Sequence, residues 1–215
     1  MFVSLNEIDV SAKRAARGVG LPWGLAEEAG KAARWLCARG LAGVSVLVPL
    51  LLDDQQQPVA ALAPITGDAW TPAGAYLCPL ITGAALADDS GEIVRRRTIV
   101  LHDLRAPLLL LPFVSRLARQ EGTALRYDWG QGRANLAPDG AAEVSGDILT
   151  QHCETAEIAV GGEAHFSNPL REGFEPVGVD AAFWEKLQKL AALTYVPASE
   201  HSRLAGAGAG LSDND

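Results

Sequence analysis

A chain of 215 residues is long enough to bury a core without disulfides or metals, and its length fits one domain with at most a small appendage. Hydrophobic residues at 48% and charged residues at 20% exclude a disordered or collagen-like chain. A net charge of −8 argues against a nucleic-acid partner, because binders of the phosphate backbone carry a basic stripe.

The first 40 residues read as two helices. Ser4 followed by Glu7 is a capping box, in which the serine oxygen takes an early helix N–H and the glutamate reaches back. Leu5, Ile8, Ala12, Ala15 and Ala16 then recur at helical spacing, and Gly18 is the expected left-handed terminator. Pro22 opens a second helix that runs to about Arg39 and ends at Gly40. Its stripe of Ala29, Ala32, Ala33 and Leu36 predicts a tight hairpin, with Trp23 and Trp35 filling the ends. Asn6, Lys13 and Arg17 share the polar face of the first helix, either as a solvated face or as a binding surface.

Residues 41–53 predict a third, shorter helix that Pro49 bends or shortens, and the polar Asp53–Gln57 is the best candidate boundary. From Pro58 to Asp89 the chain is rich in Pro, Gly and Ala and predicts irregular structure with short helical or extended pieces. After Asp88-Asp89-Ser90-Gly91 the pattern turns to strands. Arg95-Arg96-Arg97 leads into the β-branched Thr98–His102 and reads as a solvated strand end. A helix ends at Gly122, Thr123–Trp129 alternates, and Pro138-Asp139-Gly140 turns a hairpin. Glu157–Val160 and Glu163–Phe166 read as short strands. A final amphipathic helix near Ala181–Tyr195 presents Phe183, Leu187, Leu190 and Leu193. The fold class is α+β: an N-terminal helical hairpin or three-helix part (residues 1–55) packed on a mostly antiparallel sheet (56–196), with a C-terminal helix and an extended Gly-rich tail (197–215).

Cys37, Cys78 and Cys153 are too few and too scattered for a disulfide framework, which points to reduced thiols in a cytoplasmic protein. Glu7 and Asp9 stand where an export signal needs a basic and then an apolar stretch. The apolar runs near Val44–Leu52 and Ala106–Val114 are each about half of a membrane span, so no membrane is implied.

Several motifs fail on their chemistry. Gly24–Ala32 resembles a phosphate-binding loop, but Ala32 replaces the magnesium-binding hydroxyl, no strand precedes it, and Glu27-Glu28 would repel phosphate. Gly206, Gly208 and Gly210 are not a dinucleotide fingerprint, which needs a strand before it and a helix after it. His152 and Cys153 are strand neighbours whose side chains point to opposite faces, so no metal site is expected there. Asp213 and Asp215 share one side of an extended tail. They read as a solvated end or as oxygen ligands for a hard cation.

Two segments, SLNEIDVSAKRAARGVGLPWGLAEEAGKAARWL and YVPASEHSRLAGAGAGLSDND, resemble a bacterial family of proteins of unknown function over the whole chain. That resemblance implies no substrate, cofactor or catalytic residue. The residues themselves point to the tail, where Ser199, Glu200, His201, Ser202 and Arg203 cluster. One reading is a small anionic metabolite bound or transformed there. His201 and Ser202 would be catalytic, and Ser199, Arg203, Gly206, Gly208, Gly210, Lys13 and Arg17 would line the site. The other is an accessory protein whose tail docks on a partner subunit, such as the second copy of a homodimer. Neither names a cofactor, and whether the chain is an enzyme stays open.

Overall fold

The structure, a computed structural model, describes residues 1–54, 57–161, 166–173 and 175–195. A short strand, β1 (Phe2–Val3), leads into α1 (Leu5–Gly18), and the capping box forms as its sequence requires: Ser4 Oγ accepts from Glu7 N at 3.2 Å, and Ser4 N donates to Glu7 Oε2 at 3.0 Å. The left-handed step falls on Gly20 (φ +102°) and not on Gly18. Gly18 has a different task. A Cβ there would run into the backbone carbonyl of Leu190, so the missing side chain is what lets the last helix lie against α1.

The hairpin partner α2 (Trp23–Ala38) buries the small stripe Ala29, Ala32, Ala33 and Leu36. Its close approach to α1 rests on Gly30, where a Cβ would lie 2.8 Å from the Asp9 carbonyl oxygen. The chain then turns at Gly40 (φ +72°). The indoles do not fill the hairpin ends as expected. Trp23 is 62% exposed and Trp35 is half-buried. Both stand under cations, Arg17 at 5.3 Å over Trp23 and Arg39 at 4.1 Å over Trp35. Cation–π stacking against these guanidiniums satisfies the rings without full burial.

Helix α3 (Gly43–Asp54) runs through Pro49. The stretch read as irregular holds two short strands, β2 (Pro64–Ile65) and β3 (Ala69–Pro72), and also the ten-residue α4 (Pro79–Asp88). That helix is buried at Leu80, Ile81, Thr82, Gly83 and Leu86, and such an apolar surround leaves no amphipathic period to read. A short α5 (Gly91–Arg96) occupies the expected strand onset, because Glu92 pairs with Arg95 and Arg96 three and four residues on. It ends at Arg97 (φ +69°).

The remaining elements are β4 (Thr98–Arg105), α6 (Leu111–Gln120), β5 (Leu125–Trp129), β6 (Gly132–Leu136), β7 (Ala142–Gly146), β8 (His152–Val160), β9 (Val177–Gly178) and α7 (Ala181–Ala192). The predicted hairpin is β6–β7, closed at Gly140 (φ +96°) with Asp139 Oδ1 accepting from Ala141 N at 2.9 Å. The expected strand over Glu163–Phe166 falls almost wholly outside the described residues. Leu187 and Leu190 of α7 are buried as expected, whereas Leu193 is exposed.

Among the described residues the strands form a sheet in the order β2-β3-β4-β8-β5-β6-β7. Its pairs are antiparallel except β3–β4, which is parallel. A separate β1–β9 ladder ties the N-terminus to the entry of α7. One continuous core joins the helical residues Ile8, Leu36 and Leu47 to Leu101, Tyr127 and Ile158 of the sheet. The architecture is α+β, with the N-terminal helices preceding a mostly antiparallel sheet. No helix among the described residues is long and apolar enough to cross a membrane.

Candidate anion-binding hollow between α2 and α6

Helical spacing builds this site from two directions. On α2, Glu28, Lys31 and Trp35 recur at three- and four-residue steps; on α6, Pro112, Arg116 and Arg119 do the same, so each set lies along one face. Between them lies a hollow of about 450 Å³, with Phe113 and the largely buried Ser115 among its walls. Its place is set by packing behind it. Gly83 of α4 takes the Phe113 ring where a Cβ would collide, and this seats α6 against α4.

Charge in the hollow is unbalanced. Glu28 accepts from Lys31 Nζ at 2.9 Å and from Arg116 at 2.8 Å. Burial works against its ionised form, but the two cations outweigh it and hold the carboxyl below its usual range. Arg39, stacked on Trp35, pairs with Glu172 at 3.0 Å. Burial disfavours the Arg39 charge, Glu172 supports it, and Arg119 opposes it as a like charge. Arg119 itself is exposed and has no ion-pair partner among the described residues. Within the lining, Lys31 and Arg116 therefore share the carboxylate of Glu28 and Arg119 meets none, while the Arg39–Glu172 pair stands beside the hollow. The cations of the lining suit electrostatic capture of an anion.

Of the residues expected from the sequence to form a site, the structure brings Lys13 and Arg17 together, at 5.7 and 5.3 Å over the Trp23 ring. Lys13 also pairs with Glu27 at 2.7 Å. Ser199, His201, Ser202, Arg203, Gly206, Gly208, Gly210, Asp213 and Asp215 lie outside the described residues. Sequence reasoning missed Lys31, Arg116 and Arg119. The signal available was the placing of cations on one face of each helix, which also describes any solvated face.

A second polar cluster is sealed. Asp54 at the end of α3 is 3% exposed and accepts from the Tyr76 hydroxyl at 3.0 Å and from the Cys78 thiol at 3.2 Å. Burial raises the Asp54 carboxyl, more than the two donors lower it, and the Cys78 thiol is pushed well up by burial and by Asp54. The cluster pins the end of α3 to the start of α4. His152 and Cys153 do point to opposite faces: His152 is exposed and lies 3.7 Å from Asp103, while Cys153 is buried. No group of His, Cys, Asp or Glu among the described residues could hold a metal ion.

Asp54 gives a pH prediction with a definite sign. A carboxyl whose folded pKa is raised contributes stability that is fully present below the unfolded value, about 3.9, and is lost as pH rises through the folded value. The stability of wild type relative to Asp54→Asn should therefore fall as pH is raised from acid toward neutrality. Paired thermal melts from pH 4 to 8 test this, since the shifts of other carboxylates cancel in the difference. A pH-independent difference would show that Asp54 is not held toward its neutral form.

The fold and site define an α+β protein with a cation-lined hollow between two helices. Residues 3–76 match the model of a family described as "Protein of unknown function (DUF3726)", and this match contains the first of the two segments that carry the family resemblance. No curated protein matches the sequence. Among solved structures the chain is similar to malate dehydrogenase from Entamoeba histolytica, with 15% identity and a TM-score of 0.45 over 63% of this chain and 43% of that one. The chain thus spans less than half the length of that enzyme, and a likeness this distant bears on neither substrate nor mechanism.

Proposed function

We propose that this protein binds a small anionic metabolite in the hollow between α2 and α6. The observation that carries the reading is that three cations, Lys31, Arg116 and Arg119, line the hollow against the single carboxylate of Glu28, on a chain whose net charge is −8. An arginine fork matches a carboxylate or phosphate in two hydrogen bonds, and the aromatic walls suit the apolar part of the same molecule.

Isothermal titration with inorganic phosphate, citrate and AMP tests it. At least one probe should bind, and Arg119→Ala should weaken that binding about 10- to 100-fold, the equivalent of roughly 1.5–3 kcal/mol for a hydrogen bond to a charged group. Arg119 is exposed, so its loss should leave the fold intact. If none of the three probes gives heat at millimolar concentration, or if Arg119→Ala binds like wild type, the hollow is not an anion site.

A further inference from the structure

The opposite end of the helical hairpin carries an unsatisfied surface of another kind. A hollow of about 470 Å³ is lined by Arg14, Arg17, Gly18, Trp23, Leu193 and Thr194, with no carboxylate among them. Trp23, Leu193 and Tyr195 are each at least 60% exposed, so three large apolar side chains gather where α1 and α7 end and α2 begins. Arg14 touches the Tyr195 hydroxyl at 3.4 Å, and Arg17 donates to the Leu21 carbonyl at 2.9 Å and lies over Trp23. Neither meets a carboxylate among the described residues, whereas Arg34, Arg39, Arg105 and Arg126 each do. Apolar area ringed by uncompensated cations is the mark of a binding surface and not of an ordinary solvated face.

We propose that residues 196–215 of this chain fold back onto this surface, with Leu211 against Trp23 and Leu193, and with Asp213 and Asp215 on Arg14 and Arg17. Three observations select this occupant. The segment leaves from Tyr195, which sits on the rim of the hollow through its contact with Arg14. Its charges are complementary: Glu200, Asp213 and Asp215 against the single cation Arg203. Its length is ample, since the 15 residues between Tyr195 and Leu211 can span roughly 50 Å and need only return to where they began. The closure entropy of such a loop grows only slowly with its length. Gly206, Gly208 and Gly210 add no side chains that would obstruct the return.

Thermolysin, which cuts before leucine, reads the docked state in the full-length protein at the bonds preceding Leu204 and Leu211. Cleavage before Leu211 should be about tenfold faster in Arg14→Glu/Arg17→Glu than in wild type, because proteolysis follows the population of the open form. Adding Asp213→Lys/Asp215→Lys to that variant should restore protection, a rescue that general destabilisation cannot mimic. Wild-type protection should also fall at 0.5 M salt, where charges are screened within a few ångströms. Equal cleavage in wild type and the arginine variant overturns the proposal. So does failure of the lysine rescue, and so does protection that rises with protein concentration, which would place the segment on a second copy. None of these outcomes depends on anion binding at the α2–α6 hollow, so the two proposals stand or fall separately.

Discussion

Trp129→Ala should lower the unfolding free energy by about 3–5 kcal/mol, a drop of roughly 10 °C in Tm for a chain of this size. Trp129 ends β5 with no exposure and packs on Tyr127, the ring centroids being 4.5 Å apart on the same face of the strand. Its register partner in the central strand β8 is Ala156, so no large neighbour there can move in to fill the space. The indole also fits tightly from behind, since Gly132 leaves its ring the room that a Cβ would take. Its Nε1–H is buried with no hydrogen-bond partner among the described residues, which makes Trp129→Phe the informative companion. Phenylalanine removes apolar contact but also removes a donor whose lack of a partner costs about 1–3 kcal/mol. We expect Trp129→Phe to retain most of the wild-type stability while Trp129→Ala does not. If both lose several kilocalories, the indole N–H has a partner that offsets its burial.

The same substitution at two glycines should act with opposite signs. In Gly83→Ala the new methyl meets the Phe113 ring, and overpacking of that kind typically costs about 1–3 kcal/mol. In Gly24→Ala the methyl meets nothing within 4 Å in the first turn of α2, so helix propensity alone acts and stabilises by up to about 1 kcal/mol. Urea unfolding of the two variants measures the contrast directly. Gly83→Ala has a second consequence, because Phe113 also lines the α2–α6 hollow. Displacing its ring should weaken anion binding, while Gly24→Ala should leave binding unchanged. A Gly83→Ala protein as stable as wild type would mean that α4 and α6 are not in contact at this point.

Local signals were legible where one or two neighbouring residues decide the backbone. Ser4 and Glu7 cap α1 wherever that helix packs, and Gly40, Gly122 and Gly140 take positive φ because no other residue does so cheaply. Periodicity found α1, α2 and α7, whose apolar stripes face a core while their other sides meet water. It failed at α4, because a helix covered on most sides shows no stripe. It failed at α5 for the opposite reason, since that element is a single turn or so held by the Glu92 ion pairs.

The candidate site was less legible than the fold. Lys13 and Arg17 share a face as their spacing requires, but their partner is an exposed Trp23 that the small-residue stripe had placed inside the end of the hairpin. Lys31 and Arg116 lie 85 positions apart in the chain, and Glu28 joins them only because α2 and α6 pack side by side. By itself, then, the sequence determined the α+β class, the helix caps and the turns, since each depends on backbone preferences within a few residues. Tertiary structure alone decided which tryptophans are buried, which cations lack a carboxylate, and where a hollow opens, because these follow from distances between residues remote in the chain.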